Sequence, residues 1–386
     1  MKFETLPQEF LQAREIIERL QEAGFEAYFV GGSVRDALLG RTIHDVDIAT
    51  SAYPAEVKSI FSRTIDVGIE HGTVLVLTKS GDYEVTTFRT ESTYTDFRRP
   101  DHVDFVRELR EDLKRRDFTI NALACNLSGE IIDLFDGLLD LKKRQIRAVG
   151  EARARFNEDA LRIMRALRFS ATLGFEIEAA TAVAMADRAP LLTKISIERI
   201  FIELDKLLLA DGWQAALRQL TESGAWRYLP DFEAVSVAKI SADFRFENSA
   251  QAWAWLSLQL TQLNLRKWKL SNAQIKAIEK IHAAYKLENY QLSDVYQLGL
   301  HACTLADALK KAQNSPVSRS KPAALDRQLQ IHAPSELAIK GADLIVLGFE
   351  PGPKLGQLLK KIEHKIVMNT LKNTKKEILD YVKTQG

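Results

Sequence analysis

The sequence predicts an α+β head of about 150 residues built on a small mixed sheet, followed by an elongated all-α arm. Three observations predict it. Short β-type runs crowd residues 26 to 106. They mix with helical patterns without the strict alternation of a parallel α/β fold. From about Glu151 the β signal nearly vanishes, and amphipathic helix patterns joined by short turns take over. At 386 residues the chain is too long for one compact core, so two to four domains are expected.

Taken in order, residues 7 to 23 have helix periodicity. Strand-type runs follow at EAYFV (26–30), DVDIAT (45–50), GTVLVLT (72–78), YEVTTF (83–88) and HVDFV (102–106). PAEVKSIF puts Pro54 in the first turn of a helix, where a missing N–H does no harm. Farther on, NEDALRIMRALRFSATLGF reads as one helix. Asn157 is its N-cap, Glu158 and Asp159 lie in its first turn, and Gly174 closes it. EAATAVAMADRAPLLTKI and SIERIFIELDKLLLA are two further amphipathic helices. The remainder reads as helical, with breaks at NSPVSRSKP (314–322) and EPGPKLG (350–356), and no internal repeat is evident.

Composition excludes several classes. With 46% hydrophobic and 27% charged residues, this is an ordinary globular balance. No apolar run reaches the roughly 18 residues that span a bilayer, and MKFETLPQEFLQAREII is amphipathic rather than a signal peptide. Cys125 and Cys303 are the only cysteines, too few for a disulfide framework or a zinc site. A reduced, cytoplasmic protein without a membrane partner is the expectation. Formal net charge is +1, so the chain as a whole is not a generic polyanion binder. Residues 351–386 nevertheless hold eight lysines against Glu363, Glu377 and Asp380. On charge alone, a solvated helix face explains them as well as a polyanion surface does.

The stretch YFVGGSVRDALLGRTIHDVDIAT (28–50) is the first to carry chemistry. Gly31-Gly32-Ser33 leaves a strand and opens a helix, and backbone N–H groups at such a turn form an anion site. A tight corner would use the same residues. The turn is neither a Walker A loop nor a Rossmann fingerprint, so those nucleotide folds are not supported. Asp45 and Asp47, two apart in a β run, project from one face. Such close like charges call for a cation, and hard oxygen ligands suit Mg²⁺. A solvated strand edge is the plainer reading of that pair alone. Glu84 in DYEVTTFR supplies a third acid on a neighbouring strand, and three converging acids suit two-metal phosphoryl or nucleotidyl transfer. His44 beside Asp45 invites a His-Asp phosphohydrolase reading, but the seven histidines are scattered and form no such set.

GGSVRDALLG and HDVDIAT, then LKRRDFTINALA, then RFNEDALRIMRALRFSATLGF resemble, in order, the motifs of the class II tRNA nucleotidyltransferases. That family holds the CCA-adding enzymes and the related bacterial poly(A) polymerases. The likeness runs from about residue 27 to about residue 210. IKGADLIVLGFEPGPKLGQLL also resembles a tail segment of CCA-adding enzymes from low-GC Gram-positive bacteria. The resemblance implies a polymerase-β-type nucleotidyltransferase head (1–150) and a helical neck with a nucleobase-selecting helix (151–215). It implies a helical body (216–315) and a tRNA-binding tail (316–386) beyond them. It implies addition of C, C and A to the 3′ end of tRNA from CTP and ATP, without a nucleic-acid template, with two Mg²⁺ ions and release of pyrophosphate.

By the same resemblance, Gly31, Gly32 and Ser33 cradle the triphosphate, Asp45 and Asp47 ligate Mg²⁺, and Glu84 lies near the attacking 3′-hydroxyl. Arg116 meets the nucleotide near phosphate and Asp117 near ribose, with Asn121 one helical turn on helping to fix it. Asp117 also fits a plain N-cap before FTINALA. Arg35, Arg165 and Arg168 complete the implied nucleotide-binding set.

Asp159 and Arg162 in EDALR are three apart and so share a helix face, where an intrahelical ion pair is the plain reading. In the family the pair stands in for a template. A carboxylate only accepts hydrogen bonds and a guanidinium only donates them. Cytosine and adenine both present an amino donor beside a ring-nitrogen acceptor; uracil and guanine present the reverse. A site built on hydrogen bonds rejects such mismatches by as much as roughly 10⁴-fold. The polar segment RTESTYTDFRRPDHVDF (89–105) corresponds to the family's loop between head strands, and the expectation is that it governs addition of A. Deleting residues 92–100 should then abolish A addition while CC addition persists.

The RNA partner, entered by its acceptor stem and 3′ end, needs a long electropositive track. Candidates are Arg153 and Arg155, the segment around Arg319, and Lys354, Lys360 and Lys361, reading shape and 2′-OH groups. Trp253 and Trp255 read as core rather than as stacking platforms. Poly(A) synthesis or partial CC- or A-addition are alternatives within the class. A non-catalytic RNA-binding protein is the alternative outside it, and the close-set acids argue against it. Oligomeric state is left open, a homodimer included.

Overall fold

The computed structural model describes residues 1–91 and 103–384. The chain falls into two compact units, Met1–Ala234 and Val235–Gly386.

The first unit opens with α1 (Gln8–Glu22), which buries Phe10, Ala13, Ile16, Ile17 and Leu20 at helical spacing. After it come β1 (Ala27–Val30), α2 (Gly32–Leu38), β2 (Asp47–Thr50), α3 (Pro54–Ile60), β3 (Thr64–Gly68), β4 (Thr73–Leu77) and β5 (Asp82–Thr87). β6 (Arg89–Glu91), β7 (Val103–Phe105), α4 (Leu109–Lys114), β8 (Leu123–Cys125), β9 (Ile131–Asp133), α5 (Gly137–Lys143) and β10 (Gln145–Ile146) complete the head. α6 (Ala152–Glu158), α7 (Leu161–Leu173), β11 (Glu176–Ile177), α8 (Ala179–Arg188), α9 (Ile197–Leu208) and α10 (Trp213–Glu222) follow.

Seven strands form one mixed sheet in the order β3-β4-β5-β2-β1-β8-β9. β2 and β5 run parallel, and the other neighbours antiparallel. α1 covers the sheet by stacking Phe10 on Phe29, with ring centroids 4.2 Å apart. Register then aligns the acids: Val30 faces Asp47, Ile48 faces Val85, and Glu84 faces Leu75. Asp47 and Glu84 therefore stand just before a paired position on adjacent central strands.

Four features differ from the sequence expectation. β3, β8 and β9 were not legible; β3 is a largely exposed edge strand, and three-residue strands are too short for alternation to register. The DVDIAT strand begins only at Asp47, so Asp45 lies in the segment before it. The reason is that β1 ends at Val30, the partner of Asp47, and turns away at Gly31. The helix expected from Asn157 is broken: α6 ends at Glu158, Asp159 is extended (φ −140, ψ 102), and α7 begins at Leu161. Asp159 Oδ1 accepts the Leu161 N–H at 3.0 Å, so its short side chain replaces a helical backbone bond and Asn157 caps nothing. Finally, a two-residue parallel pair, β10 with β11, interrupts the helical region.

Gly174 does close α7 in the left-handed region (φ 66), and Pro54 does open α3. β6 pairs with β7 across the segment 89–105; its centre, 92–102, lies outside the described residues.

The second unit holds α11 (Ser249–Gln259), α12 (Asn272–Lys286), α13 (Leu292–Leu298), α14 (Leu300–Ala312), α15 (Pro322–Asp326), α16 (Gly341–Val346), α17 (Pro353–Val367) and α18 (Lys375–Lys383). Trp253 and Trp255 are buried in its core, Trp253 edge-on to Trp268. Cys125 and Cys303 are buried free thiols. Among the described residues no helix is long and apolar enough to cross a membrane.

Candidate active site

The site begins where β1 turns into α2. Gly31 has φ 72 and ψ −132, a conformation open essentially to glycine alone. A Cβ there would also lie 2.7 Å from Arg116 Nη1 and 3.8 Å from Asp47 Oδ2. One glycine thus lets a cation from RRDFTINA and an acid from β2 meet over a single peptide. Two nearby donors are already engaged. Gly31 N–H bonds the Leu123 carbonyl (3.1 Å), and buried Ser33 Oγ donates to the Val30 carbonyl (3.0 Å).

The acids line a cleft of about 420 Å³ that includes His44, Asp45, Asp47, Tyr83 and Glu84, with Glu9 and Gln12 of α1. Asp47 is open to solvent along the cleft but hemmed in by protein elsewhere, and that lost hydration pushes its carboxyl up. Arg116 pulls the other way, and the charges of Glu84 and Asp45 push it up further. A cation beside these acids would remove the repulsion, so the donor set fits a hard divalent ion. The expected three-acid convergence is not a closed cage. Among the described residues no three His, Cys, Asp or Glu side chains gather tightly enough to hold a metal by themselves, since Asp45 sits off the strand. Mg²⁺ needs no such cage when it takes one or two carboxylates plus substrate phosphates.

Arg116 is held by Asp112, a residue the sequence reading missed. Asp112 is fully buried and takes Arg115 on one oxygen (2.7 and 2.9 Å) and Arg116 on the other (3.1 and 3.3 Å). Burial works against its ionised form, but the two guanidinium groups hold its carboxyl below the usual range. In the sequence it is one acid three and four positions before two arginines, indistinguishable from a solvated helix pair.

Asp117 is the junction of the site. Its Oδ1 accepts from Phe118 N–H (2.8 Å) and Asn121 Nδ2 (2.9 Å), and its Oδ2 accepts from Arg165 Nε (2.8 Å). The short turn after it, Thr119–Asn121, has no side-chain cap, so the plain N-cap reading is set aside. Burial opposes the charge, yet Arg165 and the Asn121 amide bring the carboxyl down to about 2. Asn121 Oδ1 in turn accepts from Arg35 Nη1 at 2.5 Å, and Arg35 forks onto Asp36 (2.9 Å twice).

Helix α7 carries the other arginines. Arg168 Nε meets Glu203 Oε2 of α9 at 2.5 Å, and Arg165 Nη1 lies 3.5 Å from Glu203 Oε1. The guanidinium carbons of Arg35, Arg165 and Arg168 lie 5.1, 5.3 and 4.1 Å from the centroid of the Phe169 ring. The expected nucleotide set of Arg35, Asp117, Asn121, Arg165 and Arg168 is thus one connected network. Glu203 and Phe169 belong to it too; in sequence they are two more residues on amphipathic helices, with no signal of this role.

Asp159 and Arg162 are not neighbours on one helix face, because Asp159 lies at the α6–α7 break. Asp159 Oδ2 accepts from Arg199 Nη2 of α9 at 2.7 Å. Arg162 donates to Glu158 Oε2 (3.3 Å) and to the Arg115 carbonyl (2.9 Å). Of the RNA candidates, Arg153 pairs with Asp187 (2.6 Å), and Arg155 with Glu158 and the Lys114 carbonyl. Lys354, Lys360 and Lys361 are exposed on α17, and Arg319 is exposed in the second unit.

Comparison with known proteins meets this geometry. Residues 27–147 match the model of the poly(A) polymerase head domain. Residues 174–235 match the probable RNA- and SrmB-binding site of polymerase A, and residues 244–382 a putative tRNA nucleotidyltransferase domain 2. A CCA-adding enzyme of Lactococcus lactis subsp. cremoris strain MG1363 is 58% identical over 99% of this chain and 98% of its own. One from Streptococcus sanguinis strain SK36 is 54% identical over 99% of each. The crystal structure of a Bacillus stearothermophilus CCA-adding enzyme in complex with CTP superposes with a TM-score of 0.87 at 38% identity, over 98% of this chain and 99% of that one.

Proposed function

The chain belongs to the family of CCA-adding enzymes, and from that premise we propose that its head cleft builds the CCA end by metal-assisted in-line nucleotidyl transfer. The protein adds C, C and A to tRNA, with CTP and ATP as substrates. The chemistry proposed for each addition is one displacement. The 3′-hydroxyl oxygen of the RNA attacks the α-phosphorus, a new phosphodiester bond forms as the α–β bond breaks, and pyrophosphate leaves. Glu84 takes the hydroxyl proton. Asp45 and Asp47 would hold Mg²⁺, which when bound would neutralise phosphate charge and make the attacking hydroxyl more acidic.

The single observation that carries this reading is the meeting of Gly31, Asp47 and Arg116 at one point beside Glu84. Arg116, steadied by Asp112, faces phosphate, while Asp117 and Asn121 shape the ribose side. Arg35, Arg165 and Arg168 supply further positive charge around the nucleotide. Gly32 and the α2 entry cradle the triphosphate together with Gly31 and Ser33. Asp159 and Arg162 select the base. Among the described residues each Asp159 oxygen takes one hydrogen bond, and a carboxylate has about four acceptor sites, so capacity remains for an amino group of C or A. The exposed lysines of α17, with Arg153 and Arg155, bind tRNA by charge and shape in the cytoplasm. The division into head, neck, body and tail belongs to the same reading.

The test is incubation of the purified protein with tRNA lacking its last three nucleotides, Mg²⁺ and each labelled NTP. Sequential C, C and A incorporation, abolished by EDTA and restored by Mg²⁺, is expected. Asp45→Ala/Asp47→Ala protein should show none. A homopolymeric A tract, or wild-type rates from that variant, would overturn the reading.

A further inference from the structure

Helix α9 turns two side chains toward the nucleotide site, Arg199 and Glu203, one helical turn apart. Glu203 steadies Arg168 and Arg165. Arg199 reaches the opposite end of α7, where its Nη2 donates to Asp159 Oδ2 at 2.7 Å across forty positions of chain. The other carboxylate oxygen takes the Leu161 N–H at 3.0 Å. Asp159 is thus gripped once by its near neighbour Leu161 and once by Arg199 of α9.

The grip has consequences because of where Asp159 sits. Its backbone is extended at a break between two helices, so no helical turn restricts its side chain. The pair is also shielded, with side chains 16% and 29% exposed, so the attraction is stronger than between fully solvated groups. Among the described residues Arg199 Nη1 has no hydrogen-bond partner, and the guanidinium meets an acid through its Nη2. Asp159 is the acid it serves.

We propose that Arg199 is a positioning residue for base selection: by fixing Asp159 Oδ2 it sets which lone pairs of that carboxylate face the exocyclic amine of the incoming base. This rests on the reading that Asp159 selects the base. With Arg199 in place, a uracil or guanine carbonyl meets a carboxylate that cannot turn aside. Without it, only the Leu161 N–H holds the acid, which swings away from a carbonyl and no longer points reliably at an amine. Selectivity and nucleotide affinity fall together, while the cleft of Asp45, Asp47 and Glu84 is untouched.

The experiment measures kcat and KM for CTP, ATP, UTP and GTP on truncated tRNA with wild-type, Arg199→Met, Arg199→Lys, Asp159→Ala and the Arg199→Met/Asp159→Ala double variant. For Arg199→Met, KM for CTP and ATP should rise and the C-over-U and A-over-G ratios of kcat/KM should fall about tenfold or more, the scale of one displaced hydrogen bond. Its kcat at saturating CTP should stay within about threefold of wild type. Arg199→Lys, which keeps the charge but loses the fork, should fall between. In the Asp159→Ala background Arg199→Met should change the ratios no further. Loss of selectivity in Asp159→Ala with unchanged ratios in both Arg199 variants overturns the proposal. So does an equal loss with all four nucleotides, which marks a purely structural residue. Undiminished selectivity in Asp159→Ala instead overturns the base-selection reading itself. If Arg199→Met does not fold by thermal melting, Arg199→Lys decides by the same ratios.

Discussion

Asp117 accepts from Phe118, Asn121 and Arg165 while almost wholly buried, and its carboxyl falls from an ordinary 3.8 to about 2. Because the folded pKa is depressed, the contribution is fully present above about pH 4 and is lost as pH falls toward 2. It amounts to about 2 kcal/mol, with roughly half gone by pH 3. Urea unfolding of wild type and Asp117→Asn between pH 6 and pH 3 checks this. The gap between the two should narrow as pH falls; a constant gap contradicts the assignment. Gly31 makes the second prediction at this scale. Gly31→Ala places a methyl against Arg116 and demands a backbone angle that alanine rarely adopts. Stability should fall by about 1–3 kcal/mol. Steady-state kinetics should show kcat/KM for CTP down by more than about tenfold, equivalent to at least ~1.4 kcal/mol of transition-state binding. Gly31 and Asp47 drew attention in the sequence because a glycine turn and paired acids are compatible with phosphate and metal chemistry, whereas Arg116 entered only through the resemblance. Asp112, Glu203 and Arg199 drew no attention, since a charged residue on a helix announces nothing until its partner is known.

At the scale of elements, α7 is pinned by close backbone approaches. Gly212, opening α10, donates its N–H to the Ala171 carbonyl at 2.9 Å, and a Cβ there would lie 2.7 Å from that oxygen. Its φ of −91 is unstrained, so Gly212→Ala tests the crossing alone. Backbone cannot yield as a side chain does, and a loss of about 1–3 kcal/mol is expected from overpacking. A chemical-denaturation midpoint equal to wild type would show that α10 can move away freely. The patterns of α1 and α9 were read well because their periodicity repeats over three or more turns, whereas EAATAVAMADRAPLLTKI leaves the α-helix at Arg188 for a 3₁₀ turn over Ala189–Lys194 that Pro190 opens. The α6–α7 break went unread. Ala160 and Leu161 prolong the helical pattern, and only the bond from Leu161 N–H to Asp159 reveals that a side chain has taken over from the backbone. The strands β8 and β9 failed for the opposite reason, being too short to carry a period at all.

At the scale of the whole molecule, the modest net charge of +1 hides an uneven distribution whose basic part includes α17. If Lys354, Lys360 and Lys361 contact tRNA phosphates, the triple glutamine variant of the full chain should bind tRNA more weakly. Its dependence of log K on log salt should be shallower by about 2–3, one released counterion per contact. Anisotropy titrations against salt measure this, and KM for CTP should stay unchanged. An unaltered slope would leave those lysines as a solvated helix face.

What local chemistry determined from the sequence alone was the order of motifs, the position where β patterning gives way to helices, and the glycine turn and close-set acids proposed here for nucleotide and metal. Each follows from a residue and its near neighbours along the chain. What only the tertiary structure decided was who holds whom: Arg35 with Asn121 across 86 positions, Arg199 with Asp159 across 40, Glu203 with Arg168 across 35. Periodicity tells which face of an element is buried. Sheet register, a helix break and two helix crossings choose the partner on the other side, and none of these is a local property of the chain.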